Sequence, residues 1–109
     1  MSEIQQTVGK NIRFSREVAG LTQELLAEKV GVSGSYIGYL ERGKKSPSLN
    51  LLCKIADVLH VAPAMLFKTS ESKKDQELTK LILILSDKGV GSIEFLNKVA
   101  TAYFKSIEE

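Results

Sequence analysis

The sequence predicts an all-α protein, and three observations carry that expectation. Apolar residues recur at spacings of three and four along most of the 109 residues. Glycine, serine, threonine and proline fall between these periodic segments, where helices are capped and ended. A strand over Leu81 to Leu85 (LILIL) is the weaker alternative, because helical patterning flanks it on both sides.

The elements follow in order. In the first helix Val8, Ile12 and Arg16 share one face at i, i+4 spacing, and Gly20 ends it. Thr22 is placed to cap the second helix, which buries Leu25 or Leu26, Ala27 and Val30 before Gly31 closes it. Ser33 caps the third, which offers Ile37 and Leu40 to the core and ends at Gly43. Pro47 and Ser48 start the fourth, with Leu49, Leu52, Ile55, Ala56 and Leu59 facing inward and Cys53 packed within it. Pro63 suits the first turn of a short fifth helix held by Met65, Leu66 or Phe67. After the polar linker TSESKK, Ser72 or Asp75 starts a sixth helix running to about Ser86. DKGVG breaks the chain, and Ser92 caps a seventh helix that reaches about Ile107. The chain thus divides at about residue 69/70 into a compact five-helix part, 1–69, and a two-helix hairpin, 70–109.

Bulk properties restrict the function. A net charge of +2 is too small for a bulk polyelectrolyte binder, so nucleic-acid contact requires a local patch. The first 70 residues carry nine Lys or Arg against six Asp or Glu, so the basic excess lies there. One cysteine excludes an internal disulfide, and one Cys with one His (Cys53, His60) cannot supply the four ligands of a structural zinc site. No metal or cofactor is expected. No basic segment followed by an apolar stretch opens the chain, and its longest apolar run is far short of the ~20 residues that span a bilayer. The expectation is a soluble, cytoplasmic protein without membrane contact. No nucleophile–base pair and no glycine-rich phosphate loop stands out, so no enzyme is predicted.

The stretch from Thr22 to Gly43, TQELLAEKVGVSGSYIGYLERG, sets two short helices on either side of Gly31-Val32. Helices joined this tightly cross steeply, as in a helix-turn-helix. On the third helix Ile37, Leu40 and Glu41 face the core, whereas Ser35, Gly38, Tyr39 and Arg42 lie opposite, with Gly34 near the N-terminal end. That outer face is small, polar and aromatic. It suits a helix entering the ~12 Å major groove of B-DNA, where small residues allow close approach.

These residues resemble the Cro/C1-type (XRE-like) helix-turn-helix family. The resemblance rests on GLTQ (Gly20 to Gln23), Leu26-Ala27, Gly31-Val32-Ser33, Ile37, Leu40-Glu41-Arg42-Gly43, Pro47-Ser48-Leu49, and Ile55-Ala56 with Leu59, over about residues 7 to 68. It implies a five-helix, lambda-repressor-like DNA-binding domain with the third helix as recognition helix. By that resemblance Gln23 contacts a phosphate and supports the recognition helix. Ser33, Gly34, Ser35 and Tyr39 face base edges, and Arg42, Lys44 and Lys45 lie beside the sugar-phosphate backbone. Two positions depart from the family pattern. Leu25 stands where the family often has Glu, which weakens a capping box with Thr22. Gly34 and Ser35 replace longer Gln or Arg chains, which moves readout toward Tyr39 and DNA shape. Tyr36 is assigned either a phosphate contact or a plain surface role. Asn11 and Arg13, on the outer face of the first helix, read chiefly as solvent-facing, with phosphate contact the lesser alternative.

One expectation needs no family. Arg16 sits one turn beyond Ile12, and Glu41 one turn beyond Ile37, each on a core-facing stripe. Each charge is costly alone, and together they compensate, so an Arg16–Glu41 ion pair locking the first helix to the third is predicted.

The C-terminal helices carry more apolar surface than a hairpin can cover alone. The sixth shows Leu78, Leu81, Ile82 and Leu85, widened by Leu83 and Ile84. The seventh shows Ile93, Leu96, Ala100, Tyr103 and Ile107 as a heptad-like seam, with Phe95, Val99 and Ala102 beside it. Pairing with a second copy is the favoured reading, and an intramolecular lid is the alternative. The expected function is a sequence-specific transcriptional regulator of double-stranded DNA, a repressor acting as a homodimer. The rival is a protein-interaction module, such as an antitoxin or the partner of a protein antagonist, that uses the hairpin.

Overall fold

A single charged contact, Arg16 to Glu41, ties the first helix of the fold to the third. The computed structural model describes residues 2–69 and 72–108, and the expected boundary at 69/70 touches residues outside that set. The elements are α1 (Glu3–Val18), α2 (Gln23–Val30), α3 (Gly34–Glu41), α4 (Leu49–Val58), a 3₁₀ turn (Pro63–Phe67), α5 (Lys73–Leu85) and α6 (Val90–Glu108). Among the described residues there is no strand. The seven predicted helices therefore appear as six α-helices and one 3₁₀ turn, with the predicted fifth helix tightened into the turn.

Local chemistry explains most boundaries. Ser2, Thr22, Ser33, Ser48 and Ser72 each precede a helix in extended backbone, and each hydroxyl accepts from the amide three residues on. Such a cap contributes about 1 kcal/mol. At Ser2 the side chain of Gln5 returns the bond, completing a capping box. Gly31 ends α2 at φ +80°, where a Cβ would be strained, and the chain turns directly into Ser33. α4 ends differently. His60 takes φ 58°, its amide donates to the Asp57 carbonyl, and the Val61 amide donates to the Ala56 carbonyl. This is a Schellman motif with histidine in the position that glycine usually fills.

Val8, Ile12, Leu26, Ala27, Val30, Ile37, Leu40, Leu52, Ile55, Ala56, Leu59 and Leu66 form one core, against which Leu21, Val32 and Tyr36 pack. Leu26 rather than Leu25, and Leu66 rather than Phe67, take the buried places. Four sequence expectations are corrected. Leu49 is 74% exposed, because the first turn of α4 begins beyond the edge of the core. Cys53 is exposed, because it lies one residue round the helix from the stripe that begins at Leu52. Ser92 lies inside α6, because Ile93 already donates to the Gly89 carbonyl and the helix starts a turn earlier. Asn11 is not an outward side chain. It is half-buried, and its amide donates to the carbonyls of Leu66 (2.7 Å) and Lys68 (2.8 Å), fastening the 3₁₀ turn to α1.

α1 and α3 cross at backbone distance. A Cβ on Gly9 would lie 2.4 Å from the Leu40 carbonyl oxygen and 2.7 Å from that of Glu41. Only a residue without a side chain permits that approach. The hairpin extends from this body, and the molecule measures 51 × 27 × 21 Å. α5 touches α1, with Leu83 as its buried residue, while α6 buries none of its described residues.

Two substitutions test these features by urea or thermal unfolding. Gly9→Ala should cost about 1–3 kcal/mol, through forced separation of α1 from α3. His60→Gly should add about 1 kcal/mol by relieving the left-handed backbone.

Candidate nucleic-acid interface

α3 is built so that its two sides have different fates. Ile37 and Leu40 are fully buried, and Glu41 follows them at 8% exposure. A carboxylate cannot remain ionised there without compensation. Arg16 supplies it: Nε donates to Glu41 Oε2 at 2.6 Å and Nη2 donates to Oε1 at 3.0 Å, a two-pronged pair. Arg16 Nη1 also donates to the Leu21 carbonyl at 2.7 Å, which holds the α1–α2 connection. Gln23 Nε2 donates to Glu41 Oε1 at 3.0 Å. Three elements thus converge on one carboxylate: α1, the start of α2, and the end of α3.

The Arg16 pKa is raised above its ordinary value, first by the hydrogen bond to Glu41, with burial opposing. A raised basic group contributes stability that is fully present below its unfolded pKa and is lost only as pH rises through the folded value. Arg16 therefore adds no pH dependence in the neutral range.

The bracing fixes what faces outward. Ser35, Tyr39 and Arg42 are exposed, with Tyr39 at 43%. The Arg42 guanidinium stands 5.2 Å from the centre of the Tyr39 ring, a cation–π contact. Gly38 departs from the helical-wheel expectation. It is buried, because Gln23 and Arg42 lie over it: an added Cβ would come 3.1 Å from Arg42 Nη1 and 3.6 Å from Gln23 Oε1. Gly34 is half-buried for a similar reason, being crossed by the side chain of Glu24. The outward surface is therefore narrower than the wheel implies. Ser33 is exposed, with its hydroxyl accepting from the Tyr36 amide, and Tyr36 itself is half-buried against the core.

Beyond α3 the chain turns through Lys44 and Lys45, both exposed, and Ser46, which accepts from Gln5 Nε2 at 2.6 Å. That bond attaches the basic turn to α1. Arg13 does not join this surface as a free cation, since its Nε donates to Glu17 at 2.9 Å. The sequence reading missed Asn50 and Lys54, which share a shallow cleft with Ser33, Tyr36 and Ser48 at the start of α4. The signal was present, as two polar residues four apart in the first half of a mostly apolar helix. Among the described residues no group of three or more His, Cys, Asp or Glu could hold a metal ion, and no helix is long and apolar enough to cross a membrane.

The hairpin presents a second surface. Leu78, Leu81, Ile82, Leu96, Ala100, Tyr103 and Ile107 are exposed, while Leu85 and Ile93 are half-buried.

A short helix braced by two others, with a polar and aromatic outer face and cations where the chain leaves it, defines a helix-turn-helix unit. The comparisons agree. The Helix-turn-helix family model matches residues 12–66, and the chain belongs to that Cro/C1-type family of transcriptional regulators. An uncharacterised HTH-type transcriptional regulator of Mycobacterium tuberculosis is 41% identical over 59 residues, 54% of this chain and 42% of that protein. The immunity repressor protein of Bacillus phage phi105 is 42% identical over 55 residues, 50% of this chain and 38% of that protein. The chain thus spans about two fifths of the length of these relatives. Among solved structures, the restriction-modification controller protein C.AhdI of Aeromonas hydrophila superposes with a TM-score of 0.56 at 38% identity, covering 58% of this chain and 91% of that one.

The charged bracing has a direct test. Glu41→Ala should cost about 3–5 kcal/mol in denaturant unfolding, because it strands the Arg16 guanidinium. Replacing both partners by apolar residues (Arg16→Met with Glu41→Leu) should recover most of that loss.

Proposed function

We propose that this chain is a sequence-specific DNA-binding transcriptional regulator, acting in the cytoplasm as a repressor and binding a dyad-symmetric operator as a homodimer. The observation that carries the reading is the outer face of α3, where Ser35, Tyr39 and Arg42 stand exposed on a helix whose opposite side is locked by Arg16, Gln23 and Glu41. In this reading α3 lies in the major groove. Ser33, Gly34, Ser35 and Tyr39 approach base edges. Gln23, Tyr36, Arg42, Lys44 and Lys45 lie along phosphates, which position the protein without reading sequence. Residues 1–69 act as the DNA-binding part. The mechanism is occupancy of a promoter and involves no chemical step. The naming of one relative as an immunity repressor supports the direction of control.

Residues 70–109 serve in this reading as the pairing segment, through Leu78, Leu81, Ile82, Leu85, Ile93, Leu96, Ala100, Tyr103 and Ile107. What supports it is apolar surface: Leu96, Tyr103 and Ile107 on α6 are 43%, 58% and 59% exposed in the single chain, in a helix with no fully buried residue among those described. A twofold pair would set two α3 helices at half-sites about 34 Å apart.

Two measurements test the proposal. Selection of bound sequences from random duplex DNA should enrich one palindrome. Lys44→Ala and Lys45→Ala should then weaken binding to all duplexes alike, each lowering the salt slope by about one. Tyr39→Ala should instead change the enriched sequence, and equal binding to every duplex would reject sequence reading. Sedimentation should give a dimer, with Leu96→Glu shifting it to monomer. A parent monomer that pairs only with a foreign protein would favour an interaction module instead.

A further inference from the structure

We propose that Glu24 is a specificity-determining residue. Its carboxylate, lent from α2, fills the base-reading position that Gly34 leaves bare and accepts a hydrogen bond from a cytosine amino group in the major groove. The inference rests on the reading of α3 given under Proposed function.

Gly34 is the first residue of α3, and the N-terminal end of a recognition helix is the end that meets base edges. With no side chain, Gly34 can approach a base edge only through its backbone. The space is nevertheless filled. A Cβ built on Gly34 would lie 3.2 Å from Glu24 Cγ and 3.3 Å from Glu24 Oε1, so the Glu24 side chain lies across that site. Glu24 lines one cleft with Gln23, Ser35, Tyr39 and Arg42, the residues assigned to the duplex. It is exposed, and among the described residues its carboxylate makes no hydrogen bond or ion pair. At the N-terminus of α3 the Ser33 hydroxyl, not Glu24, accepts from the Tyr36 amide.

The chemistry of the group selects the base. An ionised carboxylate only accepts hydrogen bonds. Guanine offers N7 and O6, both acceptors, and thymine offers O4, also an acceptor. Adenine sets an acceptor, N7, beside its N6 donor, whereas cytosine presents its N4 amino group as a donor. In the paired duplex adenine N6 is flanked by acceptors on both sides, its own N7 and thymine O4, whereas cytosine N4 has an acceptor, guanine O6, on one side only, so cytosine repels the carboxylate least. Elsewhere on the duplex the same charge faces phosphates and is repelled. The residue thus discriminates twice, by attraction at one base and by repulsion at the rest.

The full-length parent, Glu24→Ala and Glu24→Gln should each be used to select from random duplex DNA at one fixed salt concentration. Each is then titrated against the parent's enriched site and its single-base variants. The parent should prefer cytosine about tenfold at one position of each half-site. Glu24→Ala should bind random duplex more tightly and lose that preference, with the other positions unchanged. Glu24→Gln should move the preference to adenine, whose donor and acceptor match an amide. An unchanged sequence profile with uniformly tighter binding would reduce Glu24 to a phosphate repellent and overturn the proposal. An unchanged profile with a lower melting temperature would make it a structural brace and also overturn it. A parent that enriches no sequence would overturn the regulator reading and this inference together.

Discussion

The Glu41 carboxylate, buried at the end of α3, is the constraint on which the remaining geometry depends. It sits in the core-facing stripe and requires a cation and a donor within reach. Arg16 provides the first and Gln23 the second, from two different helices. A different rotation of α3 about its axis would break this pair and draw Ile37 and Leu40 out of the core. The pair therefore selects one rotation, and with it the set of side chains that faces away from the core. Gly9 sets the complementary constraint of distance, because it lets α1 rest on the last carbonyls of α3. Together, one charge contact and one missing side chain specify both orientation and depth of the outward helix.

Much of this was legible from residue type and spacing. Both members of the ion pair sit one turn beyond a core residue, so their stripes could be read without a structure. The caps at Thr22, Ser33 and Ser48 and the break at Gly31 were equally plain. What the pattern could not supply was anything set by tertiary approach. A wheel sets Gly38 about 100° from Ile37, at the flank of the core stripe, and it is buried by the Gln23 side chain arriving from α2 together with Arg42 one turn further along. Gly9 looked like an ordinary helical position, since its significance lies in the neighbouring α3 backbone. Asn11 is polar on a helix whose far side is solvent, and its two carbonyl partners are more than fifty residues away in sequence. Leu49 and Cys53 failed for a simpler reason: periodicity gives a direction but not where the core ends.

The hairpin stands apart from this logic. The body that holds α1 to α4 is specified by partnered charges, caps and a closed core. α5 and α6 are instead specified mainly by apolar stripes that remain open in the single chain, anchored to the body at Leu83. Local helix signals suffice to form them, but not to cover them. The two parts therefore differ in what completes them. The first has a closed core, and the second leaves apolar residues exposed in the single chain.

Cys53 has a practical consequence. It is the sole thiol in the sequence, and it projects from α4 rather than lying in the core. A maleimide dye or nitroxide would therefore attach at one defined point per chain without disturbing the packed interior. In any symmetric assembly two such labels would act as a ruler between bodies, reporting their separation with and without nucleic acid.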